Sequence, residues 1–255
     1  MIDLHAHLLP GLDDGPATLE ESVELAQLLA AAGVRTVAAT PHVRADYRTA
    51  ADEVEQGVRE VRTALQGAAV ALEVLPGAEL SFEELGRPVE ELRRFGLAGN
   101  QSLLLVETPY LGWPLGLEST LFELRLAGFT VVLAHPERNP DVQGDLARVE
   151  RLVGSGTLIQ VTTSSLAGLF GSQARRTGLE LVAHGLVHLV ASDTHGPDGR
   201  SLGAAPVERA LGDASLAQWL TEDAPAAIVA GEPLPPRPPR SPRRRFARLR
   251  RPSAS

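Results

Sequence analysis

IDLHAHLLPGLDDGPATLEESVELAQLLAAAGVRTVAATPH, residues 2–42, holds the unit that decides the fold. Ile2–His5 reads as a short strand and Val34–Thr40 as a second. Between them Leu19–Ala32 carries apolar residues at helical spacing. Thr18 and Glu21 stand as a capping box at its start, and Gly33 supplies its stop. Strand, helix and strand at this spacing predict a parallel pair joined by a right-handed crossover. Asp13-Asp14-Gly15-Pro16 reads as a turn, because Asp, Gly and Pro favour turns. His5 and His7 are two residues apart and so share one side of the first strand.

Outward from this unit the pattern continues. Further strands are predicted at Val70–Leu75, Leu103–Glu107, Val131–His135, Leu158–Thr162 and Val187–Ser192, with helices at Leu117–Ala127 and Leu146–Val153. Seven strands alternating with helices predict an α/β fold: a distorted (β/α)7 TIM-like barrel, single domain, over residues 1–231. An open doubly wound sheet is the alternative. The chain has 255 residues and 44% hydrophobic content, enough for one core of this kind.

Residues 232–255, EPLPPRPPRSPRRRFARLRRPSAS, break the pattern. Proline and like charge oppose packing, so a disordered basic tail is expected there. Its eight arginines and one glutamate give +7, which leaves the body with 16 basic and 31 acidic residues, a net of −15. A body of that sign argues against nucleic acid as a partner. The tail is either a solvated extension or a contact for an anionic membrane.

Absences narrow the chemistry further. There is no cysteine, which excludes disulfides, thiolate metal sites and a cysteine nucleophile. All 24 basic residues are arginine, which excludes a lysine Schiff base. No stretch approaches the ~20 apolar residues of a membrane span, and the first strand starts at Ile2, without a removable signal segment before it. A cytoplasmic protein is expected.

The metal-competent side chains fall at one end of the strands. His5 and His7 end the first strand, His42 follows the second, Glu79 the third, Glu107 ends the fourth, His135 the fifth, and Asp193 and His195 follow the seventh. In a barrel of this type those ends converge on one face. Buried charges there require partners or metals. The remaining histidines, His184 and His188, precede the last strand; the first reads as a helix C-terminal residue and the second as structural.

His5-Ala6-His7, Thr40-Pro41-His42, Gly77-Ala78-Glu79, His135-Pro136-Glu137-Arg138 and Ser192-Asp193-Thr194-His195 resemble the motifs of the polymerase-and-histidinol-phosphatase (PHP) superfamily. With Asp13-Asp14-Gly15-Pro16 they resemble, within it, the bacterial manganese-dependent protein-tyrosine phosphatases of capsule and exopolysaccharide operons. The resemblance implies two or three metal ions, Mn2+ foremost, with Fe or Zn as alternatives suited to mixed imidazole and carboxylate ligands. It implies that His5, His7, Glu79 and Asp193 hold the first ion. Glu79, Glu107 and His135 would serve a second, and Asp14, His42 and His195 a third. Arg138 and Arg200 would bind phosphate oxygens, with Arg44 a further candidate, and His42 or Asp14 would assist the leaving group. The implied reaction is direct attack of a metal-activated hydroxide on a phosphotyrosine ester, and the implied partner is a membrane-associated tyrosine autokinase. Tyr110 and Trp113, in the loop after Glu107, either line the mouth or pack the loop. Two other functions compete: a small-molecule phosphatase, such as one acting on histidinol phosphate, and a non-catalytic metal-binding regulatory domain. Oligomeric state does not follow from the sequence.

Overall fold

In the computed structural model, which describes residues 1–197 and 201–239, Thr18 caps the first helix as its sequence predicts. Its hydroxyl accepts from Glu21 N at 3.3 Å, while Glu21 Oε2 accepts from Ala17 N, one residue before the cap. The helix, α1 (Leu19–Ala31), buries Ser22, Leu25, Ala26 and Leu29, the three- and four-residue spacing of one helical face. It joins β1 (Ile2–Ala6) to β2 (Thr36–Ala39), which pair in parallel.

The remaining elements follow in order: β3 (His42–Arg44), β4 (Tyr47–Arg48), α2 (Ala51–Gly67), β5 (Glu73–Pro76), β6 (Glu79–Leu80), α3 (Val89–Arg94), β7 (Leu103–Glu107), α4 (Leu117–Leu126) and β8 (Thr130–Ala134). After them come α5 (Pro140–Gly144), α6 (Ala147–Gly154), β9 (Leu158–Thr162), α7 (Thr163–Ala167), α8 (Gly171–Ala183), β10 (Leu189–Ala191), α9 (Ala205–Leu211), α10 (Ala214–Gln218) and α11 (Ala224–Ala230). The fold is α/β, with strands in two sheets ordered β1-β2-β5 and β10-β9-β8-β7-β6-β3-β4. All pairings are parallel except β3 with β4.

Two of the expected strands are each followed, after a break, by a further short strand in the other sheet. The second breaks at Thr40-Pro41 and resumes as β3; the third breaks at Gly77-Ala78 and resumes as β6. Proline has no N–H for a ladder bond. Gly77 sits where a Cβ would lie 3.2 Å from Thr40 Cγ2 and 3.3 Å from Leu97 Cδ1, so the close approach favours glycine. These breaks set His42 opposite Glu79 in the longer sheet. At the other edge, Asp193 N donates to His5 O (2.8 Å) and His7 N donates to Thr194 O (2.9 Å), linking β1 to the segment after β10.

Core positions explain why the strands read as nearly continuous apolar runs. Leu104, Val106, Val131 and Leu133 pack in one buried cluster; their neighbours Leu103, Leu105, Val132 and Ala134 pack in another with Leu4, Ala38, Leu189 and Ile228. A strand covered on both faces is apolar on both parities. Glu107, at the end of β7, follows Leu103 and Leu105 in parity, so it points where they point.

The chain remains attached to the body past residue 231, where the sequence places the start of the tail. Trp219 Nε1 donates to Pro235 O (3.1 Å), and Arg237 donates to Val187 O (2.7 Å) and Val182 O (3.0 Å). Glu232 and Leu234 line a cavity of about 330 Å3 together with Leu103, Thr130 and Leu158, at the starting ends of three strands. The carbonyl oxygens of Val182, at the end of α8, and Val187, just before β10, together with a Trp ring under the guanidinium 5.2 Å away, are what hold Arg237 there. The rest of the expected tail, from Arg240 onward, lies outside the described residues.

Candidate metal centre

β1 presents His5 and His7 side by side, both fully buried. His5 Nε2 lies 3.3 Å from His7 Nε2, 3.3 Å from Glu79 Oε2 and 3.1 Å from Asp193 Oδ1. His7 Nε2 lies 3.5 Å from Glu79 Oε2 and 3.3 Å from Asp193 Oδ1. Four ligand atoms held about 2.1 Å from one cation stand about 3.0–3.4 Å apart. These four residues therefore form a set that fits a single ion.

Glu79 is shared with its other neighbours. Its Oε2 lies 3.0 Å from His42 Nδ1 and its Oε1 lies 2.8 Å from His135 Nε2. His42, Glu79 and Glu107 make a second group of potential ligands, and His7, Asp14, His42 and His195 a third. His42 Nε2 and His195 Nε2 lie 3.6 Å and 3.4 Å from Asp14 Oδ1. His42 Nδ1 and Glu79 Oε2 are buried without a hydrogen-bond partner despite their proximity. Two lone pairs aimed at a common point, with no proton aligned between them, suit a cation.

All nine residues expected to bind metal thus come together. The grouping differs from the expected one in detail: His42 belongs to the second group as well as the third, His7 joins the third, and His135 enters through its contact with Glu79. His135 and Asp193 both adopt left-handed backbone, φ 38° and 53°. Neither is glycine, and such positions persist only where the surroundings enforce them.

Orienting contacts lie behind the ligands. Asp13 Oδ2 meets His7 Nδ1 at 2.6 Å and accepts from His42 N at 2.9 Å, while its Oδ1 accepts from Gly15 N at 2.9 Å. Asp13 reads in the sequence as a turn residue only, and it does make that turn. Gln160 Oε1 lies 3.0 Å from His5 Nδ1. It comes from β9, whose sequence LIQVT offers no His or carboxylate; a single buried amide in an apolar strand was the available signal. Glu137 is also fully buried, and its Oε1 accepts from Thr162 N (3.1 Å) and Thr162 Oγ1 (3.0 Å), tying the turn after His135 to the end of β9.

Electrostatics favour positive charge at this centre. Burial disfavours protonated His5, yet Glu79 and Asp193 outweigh it and lift its pKa to about 9. His7 rises well above its usual value against burial, through Asp13, Asp193 and Glu79. Against burial again, Glu79 is held well below the carboxylate range by His5, His135 and His42, and Asp193 by His5 and Arg138. His195 is pushed down to about 4 by burial and by His7, and Glu107 is pushed up by burial and by Glu79. Carboxylates that draw protons onto buried imidazoles will accept divalent cations in the same place.

Of the expected arginines, Arg138 reaches the centre. Its Nη2 lies 2.6 Å from Asp193 Oδ2, its guanidinium stacks 4.0 Å over the Phe170 ring, and its buried Nε has no hydrogen-bond partner. Arg44 faces carboxylates instead, Glu107 at 3.2 Å and Asp46 at 2.9 Å. Arg200 lies outside the described residues. The two loop aromatics part company. Tyr110 is half-exposed with its ring centroid 6.3 Å from that of His135, whereas Trp113 packs against the core beneath Arg148. His184 is the exposed C-cap of α8, and His188 Nδ1 accepts from Ile159 N at 3.0 Å, so neither joins the centre.

Comparison with known proteins identifies the family. The tyrosine-protein phosphatase YwqE of Bacillus subtilis is 34% identical over 197 residues, covering 76% of this chain and 77% of that protein. The putative tyrosine-protein phosphatase CapC of Staphylococcus aureus is 31% identical over 198 residues, with the same coverage. A solved structure from work on YwqE of Bacillus subtilis and CpsB of Streptococcus pneumoniae, described as unique metal-dependent tyrosine phosphatases, superposes with a TM-score of 0.82 at 32% identity, over 94% of this chain and all of that one. The family model for capsular polysaccharide synthesis, CpsB/CapC, matches residues 1–228, and the chain belongs to that family.

Proposed function

We propose that this protein is a metal-dependent protein-tyrosine phosphatase acting on a tyrosine autokinase that regulates capsular or exopolysaccharide synthesis. The observation that carries the reading is the shared carboxylate: Glu79 touches His5, His7, His42 and His135 and so joins two ligand groups, which His7 and His42 link to the third, with Arg138 beside them. The names of the relatives support the same chemistry. The bonds from Asp193 N to His5 O and from His7 N to Thr194 O are consistent with the seam of a distorted (β/α)7 barrel.

His5, His7, Glu79 and Asp193 are the proposed ligands of one ion; Glu79, His42, Glu107 and His135 those of a second; and His7, Asp14, His42 and His195 those of a third. Mn2+ is the proposed metal. Divalent cations bound there would supply Lewis acidity and lower the pKa of water to about 7. Arg138, fixed between Asp193 and Phe170, orients phosphate oxygens with its planar fork. With no cysteine in the chain, a phosphocysteine intermediate is excluded. A tyrosyl leaving group, with a pKa near 10, needs less proton assistance than a serine alkoxide. Asp14 and His195 are the more exposed ligands, so the third group marks the open side, where Asp14 or His42 can assist departure.

The deciding experiment is a substrate panel of phosphotyrosine peptide, phosphoserine peptide and histidinol phosphate, each with added Mn2+ and with chelator. Turnover of phosphotyrosine that chelator abolishes is expected. Preferred turnover of histidinol phosphate, or activity undiminished by chelator, would refute the proposal.

A further inference from the structure

A cavity of about 710 Å3 opens beside the metal centre. Asp193 and His195 stand at its wall, and Phe170, Leu169, Pro197 and Leu202 supply its apolar surface. Phe170 and Leu169, between α7 and α8, are each about half-exposed. The hydroxyls around the cavity are already engaged: Ser164 Oγ with Ser201 Oγ at 2.5 Å, Thr194 Oγ1 with Gly196 O at 3.1 Å, and Ser192 Oγ with His5 O at 3.4 Å. Among the described residues that line it there is no arginine. The space thus has a charged end, where ligand-type side chains stand, and an apolar end whose polar groups are occupied with one another.

We infer that this cavity is the subsite for the aromatic ring of the phosphoester, and that Phe170 determines the preference for aryl over alkyl phosphates. The inference rests on the phosphatase reading above. One ester must place its phosphate against the metals and Arg138 and its leaving group somewhere apolar and adjacent. Phe170 satisfies the geometry of both. One face of its ring lies under the Arg138 guanidinium at 4.0 Å, and its side chain also lines the cavity. An aromatic ring packs against another in offset or edge-to-face fashion, which a serine leaving group cannot match. The volume falls within the range of pockets that hold small organic ligands, with room for a ring and a neighbouring residue. A second phosphate or an acidic side chain would find no cationic side chain among the described residues that line it.

Arg138 has a second anchor, Asp193 at 2.6 Å, besides the Phe170 ring. That separates a ring subsite from a simple prop for Arg138. The test compares wild type, Phe170→Ala, Phe170→Leu and Phe170→Tyr in the full chain with Mn2+. Three sets of constants are measured: KM and kcat for p-nitrophenyl phosphate, KM and kcat for phosphoserine, and the inhibition constant of inorganic phosphate. Phe170→Ala is expected to raise KM for the aryl ester about ten-fold or more while moving the phosphoserine and inorganic-phosphate constants less than about two-fold. Phe170→Leu, which keeps apolar bulk but loses the ring, guards against misfolding of the alanine variant and is expected to show the same split. Phe170→Tyr is expected to restore aryl binding. Equal shifts in all three constants would reduce Phe170 to a support for Arg138, and no shift in any would remove it from the site; either result overturns the inference. A wild-type protein inactive on every ester would instead defeat the phosphatase reading, before any variant is compared.

Discussion

Asp13 Oδ2 stands 2.6 Å from His7 Nδ1 and also accepts the backbone N–H of His42 at 2.9 Å. One oxygen therefore fixes the ring of one candidate ligand and the backbone of another from a different strand. His7 holds Asp13 down to about 2 against its burial, with Gly15 and His42 amides assisting. Residues behind metal ligands typically alter affinity about 10–100-fold when removed. Asp13→Ala is expected to weaken Mn2+ binding within that range while the protein stays folded, as measured by titration against a competing chelator. Unchanged affinity would remove Asp13 from the centre.

Glu79 and Asp14 should differ in kind. Glu79 is fully buried and common to two of the ligand groups, whereas Asp14 belongs to one and is nearly half-exposed. Glu79→Gln is expected to lower the number of ions retained after gel filtration by more than one. Asp14→Asn should lower it by one at most. Elemental analysis of both variants distinguishes the two effects, and equal losses would contradict the sharing of Glu79.

Arg138 should be irreplaceable by lysine. Its fork has one arm on Asp193 and a buried Nε without a partner. Lysine keeps the charge but not the planar geometry. Arg138→Lys is expected to lower kcat/KM on an aryl phosphate by about 10²-fold, the scale of losing one well-placed donor to developing charge. Metal content should be unchanged, which separates phosphate binding from damage to the Asp193 ligand.

Acid should weaken the fold partly through His188, which stands outside the candidate ligand groups. Burial, with Arg237 adding to it, pushes its pKa down to about 4, against about 6.5 in an unfolded chain. Below pH 6.5 the unfolded state binds the proton more readily, so stability rises with pH there. The contribution of neutral His188 is complete above about pH 6.5 and is lost as pH falls toward 4. His188→Asn, which offers Ile159 N another acceptor, is expected to show a smaller drop in Tm between pH 6.5 and 4.5 than wild type. Parallel Tm curves would exclude the effect.

The order of ligands along the chain was legible because most stand at or just after the end of an expected strand, and a short apolar run ending in His or a carboxylate is visible in one dimension. His5-Ala6-His7 gained its meaning from the matching positions after other strands. Asp13 and Gln160 were not legible, since their partners are set only when distant segments meet: Gln160 lies 155 residues from His5. The strand breaks at Pro41 and Gly77 carried local signals, but local signals do not say which sheet receives the next piece. The tail boundary at 231 followed from composition. Composition could not register that Trp219 and the carbonyls of Val182 and Val187 would hold Arg237.

That last attachment gives the molecule a front and a back. Arg237 is fastened just before β10 begins, and Leu234 sits among residues that open β7, β8 and β9, while Glu107 and His135 stand at the finishing ends of β7 and β8 and Asp193 follows β10. The described C-terminal segment, Glu232 to Arg237, therefore lies at the pole facing away from the candidate metal centre. Tethered to a surface or a fusion partner by its C-terminal side, the enzyme would keep its mouth turned outward, free to meet a flexible substrate arriving from the opposite direction.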